Sequence, residues 1–418
     1  RKACSALHYR DYRLLWIGQL FSVTGSQMQV VAINWHVWLL TKSALALGGV
    51  GLVRVIPIVA CSLIGGAVAD VFDRKRLMMI TQAVMLLSAT LLAIWTRTGL
   101  HSVWPIYVLT GIGSAAVAFD APARQALIPM LVPVEDFPNA VSLYSVVFQV
   151  ALIGGPAISG LILARYSPAV VYGINGASFL AVIAALLMMR VRGKPSESDG
   201  IARSVTLQSI REGLRFVWRT PIIVQTMTLD FIATFFASST TLLPIFADQI
   251  LRVGARGLGI LASAPAVGSL MTGLVMARVH SFKRQGPTVL ASVAFYGAAT
   301  IGFGVSKVFA LSLVMLALVG ASDTVSTVLR QTIRQMVTPD YLRGRMTSVN
   351  MIFFMGGPQL GEFEAGTLAK FVGAPLSVIA GGVGCVIAVA LAALRAKSLI
   401  EYESHLKPNQ TSATEPAD

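Results

Sequence analysis

Charge is what this chain has least of. Only 12% of its 418 residues are Asp, Glu, Lys or Arg, about half the share in a soluble globular domain. Cysteine is scarcer still. Cys4, Cys61 and Cys385 are the whole complement, too few for a disulfide framework and without a metal-ligand spacing, so no metal is expected and the redox compartment is left open. No lysine follows the glycine pattern of a phosphate-binding loop, which excludes direct ATP hydrolysis. No histidine precedes the glutamate of a zinc-protease helix, and no serine sits between glycines in a hydrolase elbow. No catalytic site or cofactor is therefore expected, and the chain is not read as an enzyme. Gly111, Gly113 and Ala116 spell a dinucleotide-like pattern, but inside an apolar run with no strand before it, so they read as helix packing. The chain opens at Arg1 with neither methionine nor a secretory leader, and its start is expected to be trimmed.

What the chain has in excess is apolar length. Hydrophobic residues make up 55% of it and the mean hydropathy is +0.72, which places it in a bilayer. Runs long enough to cross as helices fall at 14–40, 44–69, 77–95, 104–127, 141–163 and 169–189, and again at 222–246, 258–277, 287–305, 309–329, 346–371 and 376–394. The expected fold is an all-α membrane protein with twelve transmembrane helices. The net charge of +14 would suggest nucleic acid in a soluble protein. Here loop basicity explains it, and no nucleic acid partner is expected. The termini and even-numbered loops, with the span ends adjoining them, hold 25 of the 33 Lys and Arg residues and the odd-numbered loops seven. Both termini are therefore expected on the cytoplasmic side.

The runs divide into two sixes: a first half at 1–189, a linker at 190–220, a second half at 221–397, and a tail at 398–418 expected to be disordered. In the linker Leu207, Ile210, Leu214 and Val217 recur at helical spacing against Arg211, Glu212 and Arg215, the pattern of an amphipathic helix on the membrane surface. The halves read as a weak repeat. Arg124 and Gln125 recur as Arg330 and Gln331, and Gly155 and Pro156 recur as Gly357 and Pro358. The GxxxG at Gly357–Gly361 reads as close helix contact in the eleventh span.

The most informative short stretch is GGAVADVFDRKR, Gly65 to Arg76, which places charges in a tight turn between the second and third spans. Gly66, Asp70, Arg74 and Lys75 resemble the loop signature of the major facilitator superfamily. Asp73, standing where a second glycine is usual, is similar to the drug and siderophore exporter branch that holds the enterobactin exporter and macrolide efflux proteins. In the fifth span Gly155, Pro156 and Gly160 resemble the glycine-proline signature of antiporters, with Ser159 and Ala151 at two expected glycine positions. Tyr107 occupies the place of the arginine that many such antiporters carry in the fourth span. The resemblance implies two parallel six-helix repeats with a substrate site near the midplane between them. Asp70, with Gly66, Arg74 and Lys75, is then expected at a conformational gate, near the start of the eleventh helix.

Ionisable groups within spans are costly, about 3 kcal/mol each by insertion scales, unless they face protein or water. They are Arg54, Asp120, Arg124, Asp230, Asp323, Arg330, Glu362 and Glu364. Asp120 and Arg124, four apart with the acid first, read as a structural ion pair. Asp323 and Arg330 are two turns apart and are expected not to pair directly. Glu362 and Glu364 point to nearly opposite sides of their helix, so at most one faces a central cavity. Proton coupling or substrate contact falls to Asp323 and Glu362 by depth, with Glu364, Asp230, Asn34 and Gln27 as further candidates. In the first span Gln19, Ser26, Gln27, Asn34 and His36 suit a bulky amphipathic substrate, while Trp38 reads as an interface anchor. Together with the resemblance, these residues imply a monomeric secondary exporter of a drug, macrolide or siderophore-like compound. It would exchange the compound for protons across a bacterial inner membrane. An importer or lysophospholipid flippase of the same fold, or a non-transporting sensor or scaffold, are the alternatives.

Overall fold

The computed structural model describes residues 4–99, 102–191, 193, 215–238, 240–278, 284–339 and 342–395. Within these ranges the side chains at 62, 63, 66, 67, 69–71, 343–345, 347–349, 351, 352, 354 and 355 are outside the description. Among the described residues there are twelve long helices: α1 Arg10–Thr41, α2 Ala44–Val71, α3 Arg74–Arg97, α4 Trp104–Leu127, α5 Phe137–Leu163, α6 Pro168–Met188, α7 Pro221–Phe236, α8 Gly254–Met276, α9 Gln285–Val305, α10 Phe309–Val337, α11 Arg343–Val372 and α12 Ala374–Arg395. No strand occurs among the described residues. Local chemistry sets the ends. Ser43 caps α2 and Ser167 caps α6 through backbone N–H bonds to their hydroxyls, and Pro168 opens α6 where a missing N–H costs nothing. Gly373, at φ +86°, turns the chain from α11 into α12 in a single residue.

Among the described residues ten spans are long and apolar enough to cross a membrane by length and composition, and those of α1 and α11 are not among them. These two carry Gln27, Asn34 and Glu362, which line the central cavity described below. A helix wetted on one side has no need of an apolar surface all round.

The seventh span is a correction to the single run expected at 222–246. α7 stops at Phe236, and the chain continues through a 3₁₀ turn at Thr240–Leu242 and a π-helical turn at Phe246–Ile250. Ser238, Thr240 and Thr241 offer hydroxyls that compete for backbone partners, and Pro244 removes a donor. Ser238 donates to the carbonyl of Pro358 at 3.1 Å and Thr241 to that of Leu47 at 3.2 Å. Non-helical backbone at membrane depth persists only where protein or a cavity surrounds it, and here both do.

The first six helices pack among themselves, as do the last six, and the halves meet chiefly along α2–α11 and α5–α8. Both seams are glycine contacts. A Cβ on Gly366 would lie 2.7 Å from the Gly48 Cα, and one on Gly160 would lie 2.7 Å from the Gly259 Cα. No larger residue permits that backbone approach. Cores are distributed unevenly along the membrane normal. At the end away from the termini one apolar cluster draws on both halves, from Trp38, Leu47 and Tyr172 to Phe246, Leu258 and Val378. Toward the termini each half keeps its own, around Tyr12 and Leu127 in the first and Ile223 and Ile333 in the second. Most of the expected linker, including Leu207, Ile210 and Leu214, and the expected tail lie outside the described residues.

Candidate functional site

Between the halves lies a cavity of ≈ 400 Å³, the size of a small-molecule site. Gln27 and Asn34 reach it from α1, Pro156 from α5, Ser238 and Thr240 from the interrupted seventh span, and Tyr296 from α9. Asp323 on α10 and Glu362 on α11 complete it. Its walls are mostly apolar with a few convergent polar groups. The Asn34 Oδ1 is buried without a protein partner. Glu362 Oε1 accepts from Thr240 at 3.4 Å, and its side chain lies against α2, where a Cβ on Gly51 would be 2.9 Å from the Glu362 Cβ. Glu364, two residues on, is not among the lining residues.

Behind the Asp323 wall sits a charge network. Arg330 is 1% exposed, and its Nη2 lies 2.8 Å from Asp230 Oδ1 on α7. Arg334 stands 3.9 Å from the other Asp230 oxygen and donates to Asn350. Asp230 is thus removed from the cavity into an ion pair. Arg330 Nη2 also comes within 3.9 Å of Asp323 Oδ1, so the two do make a long ion pair, contrary to the expectation from their spacing. Helical side chains lean toward the N-terminus, and an arginine is long enough to reach back two turns. Asp323 is about half exposed at its side chain and bridges network and cavity.

The first half carries the counterpart. Arg124 Nη1 lies 2.8 Å from Asp120 Oδ2 and donates to Gln19 at 3.0 Å, while Asp120 Oδ1 accepts from Thr81 and Gln82 on α3. The arginine therefore recurs at the same place in each repeat, but its acid comes from the same helix in one and from α7 in the other.

At the terminal end, Asp73 caps α3 by accepting from the Lys75 and Arg76 N–H groups. Lys75 Nζ donates to the Met189 carbonyl at 2.8 Å and Arg74 Nη1 to that of Ala126 at 3.2 Å. Both cations close helix carboxyl ends, where the macrodipole favours them. The side chains of Gly66 and Asp70, and those that open α11, lie outside the described residues. Gly155 packs on α1 and Gly160 on α8, and the Ser263 hydroxyl donates to the Ile153 carbonyl in the turn loosened by Pro156.

Every described hydrogen bond between the halves lies toward the far end or midplane. Trp38 Nε1 and Lys42 Nζ both donate to Asp248 Oδ2 at 2.9 Å, and the ammonium stands 4.9 Å from the Trp38 ring centroid. Trp38 is 3% exposed, so it is a contact between halves and not an interface anchor. This latch was not found from sequence, because Asp248 sits at the edge of an apolar run and nothing local marks its partner.

The chain matches the family described as transmembrane secretion effector over residues 2–417. It belongs to that family of major facilitator transporters. Among relatives, the multidrug efflux pump Tap of Mycolicibacterium fortuitum is 28% identical over 86% of this chain and 89% of its own. The staphyloferrin A transporter of Staphylococcus aureus is 29% identical over 81% of each. The enterobactin exporter EntS of Shigella dysenteriae is 24% identical over 90% of this chain and 89% of its own. A bacterial homologue of the human lysosomal transporter Spinster, solved inward-facing and unoccupied, superposes with a TM-score of 0.73 at 14% identity, over 96% of this chain and 99% of that one. A peptide transporter gives 0.75 at 10% identity over 94% and 95%. These establish the major facilitator fold expected from the loop motif.

Proposed function

We propose that this transmembrane secretion effector is a proton-driven exporter in the inner membrane, here in an inward-facing state with both termini in the cytoplasm. The observation that carries this reading is the central cavity, walled off at the far end by a core common to both halves and carrying two carboxylates. The loop charge bias supports the orientation. The relatives' names support a drug-like or siderophore-like cargo.

In this mechanism the compound enters between the halves from the cytoplasm, and the glycine seams serve as pivots as the far end opens. Asp323 and Glu362 are the coupling candidates. Asp323 faces water on one side and Arg330 on the other, so a proton on Asp323 weakens its hold on the guanidinium and leaves Asp230 as the sole counter-charge. Glu362 sits at the α2–α11 seam, where a change of charge acts on the contact between halves. Asp70 is assigned to the inner gate, near the start of α11, where a helix N-terminus favours an anion by about 0.3–1 kcal/mol.

The test is expression in an exporter-deficient bacterium, scored for resistance and secreted metabolites, followed by proteoliposomes carrying wild type, Asp323→Asn or Glu362→Gln. Wild type should move its compound with a pH gradient, and at least one variant should lose gradient-driven transport. If both variants transport normally, the carboxylates are structural and coupling resides elsewhere.

A further inference from the structure

A second, smaller cavity of ≈ 120 Å³ lies wholly within the first half, among α1, α2, α3, α4 and α6. It has room for one functional group and not for a whole ligand. Its lining is oxygen- and amide-rich, with Gln29, Ser88, Thr110 and Asn175, and its one charged lining residue is Arg54. Val30 lines both this pocket and the central cavity, so the two adjoin.

Arg54 is ten residues into α2, about 15 Å along the helix from its far-end start. Among the described residues no carboxylate lies within 4 Å of it. Across the seam, the Glu362 carboxylate of the central cavity acts on it from beyond ion-pair distance. A guanidinium held at that depth without a close counter-ion is unstable unless water or a ligand supplies one. A second group points the same way. The Thr110 hydroxyl, on a residue only 6% exposed, has no partner in the protein. An unpartnered hydroxyl and a cation with no described carboxylate within 4 Å, in one pocket, together make a recess for oxygen atoms carrying negative charge.

We propose that this pocket is a subsite for one anionic group of the transported compound, a carboxylate or phenolate, whose apolar body occupies the adjoining central cavity. Arg54 supplies charge-assisted donors and Thr110 a hydroxyl. Glu362 attracts the same guanidinium from across the seam, so loading the subsite weakens the pull between Arg54 and the second half. The proposal rests on the export reading for its word "transported", but its test does not.

The probes are radiolabelled 2-hydroxybenzoate and its methyl ester, which differ in charge and hardly in shape. Binding is measured to the full chain in lipid nanodiscs, with empty nanodiscs subtracted. Wild type should prefer the carboxylate by about tenfold or more, the range of a hydrogen bond to a charged group. Arg54→Gln should abolish the preference while leaving ester binding unchanged, Arg54→Lys should keep most of it, and Thr110→Val should reduce carboxylate binding several-fold. Equal binding of the two probes by wild type, or a preference undiminished in Arg54→Gln, overturns the proposal. Should Arg54→Gln fail to fold, Thr110→Val decides it, since an unchanged preference there also overturns it. A preference for the carboxylate in a chain that drives no efflux in cells would sink the export reading and leave the subsite standing.

Discussion

Replacing Asp248 with Asn tests the far-end latch. The substitution keeps an oxygen for the Trp38 indole but removes the charge that Lys42 and Trp38 share. Lys42 is about half exposed at its side chain and Asp248 about one third, so solvent screens the ion pair and its loss is worth about 0.2–1 kcal/mol. The indole bond is better protected, because Trp38 is 3% exposed. Changing its acceptor from charged to neutral costs about 1 kcal/mol more. The sum, about 1–2 kcal/mol, weakens only the far-end-closed state and shifts the ratio of closed to open by roughly 5–30-fold. Spin labels on cysteines placed at Arg165 and Lys307, both exposed at the far end, report the separation of the halves by pulsed electron resonance. The native Cys4, Cys61 and Cys385 are removed first. Asp248→Asn should raise the long-distance population, and Lys42→Gln should raise it less, since Lys42 contributes only the screened part. An unchanged distribution in Asp248→Asn, or a larger effect from Lys42→Gln, would refute the assignment of strength to the buried indole bond.

Asp230→Asn strips Arg330 and Arg334 of the acid that both approach, and should cost about 3–5 kcal/mol because it leaves buried cations uncompensated; thermal melting in detergent would read it. Asp120→Asn should cost less by the same measurement, since Arg124 keeps Gln19 and is partly exposed. Gly160→Val places side-chain atoms against the Gly259 backbone and must part α5 from α8, at about 1–3 kcal/mol of overpacking; the same label pair should show the far end held apart. Asp70→Asn should lower flux at undiminished yield if the inner gate needs that anion, and full transport would remove the role.

Twelve helices were legible because each is a long apolar run bounded by charge or a cap, and the family because one loop keeps its glycine, acid and basic pair. What sequence could not supply is partnership across distance. Arg330 was visible as a buried cation, yet its acid, Asp230, is 100 residues away on another helix. The reach of Arg330 back to Asp323 was misjudged because spacing alone neglects the length and lean of an arginine. Trp38 has the composition of an interface anchor and becomes a contact between halves only once Asp248 is folded against it. The break after Phe236 was missed for a different reason. Apolar periodicity continues through it, and only the run of hydroxyl residues before Pro244 hinted that the backbone would leave the helix.

That break has a consequence for anyone trying to change what the protein accepts. Where Ala237 and Ser238 border the cavity, the chain has left its regular helix, so the course of the backbone shapes the wall together with the side chains. A scan of alanine or cysteine replacements along the seventh span tests those side chains and leaves the course of the backbone untested. Recognition by main chain is conserved under most point mutations and is lost only when the path of the chain is changed. Selectivity in this region should therefore respond to insertion, deletion or a proline as well as to the substitutions that usually reveal a binding site.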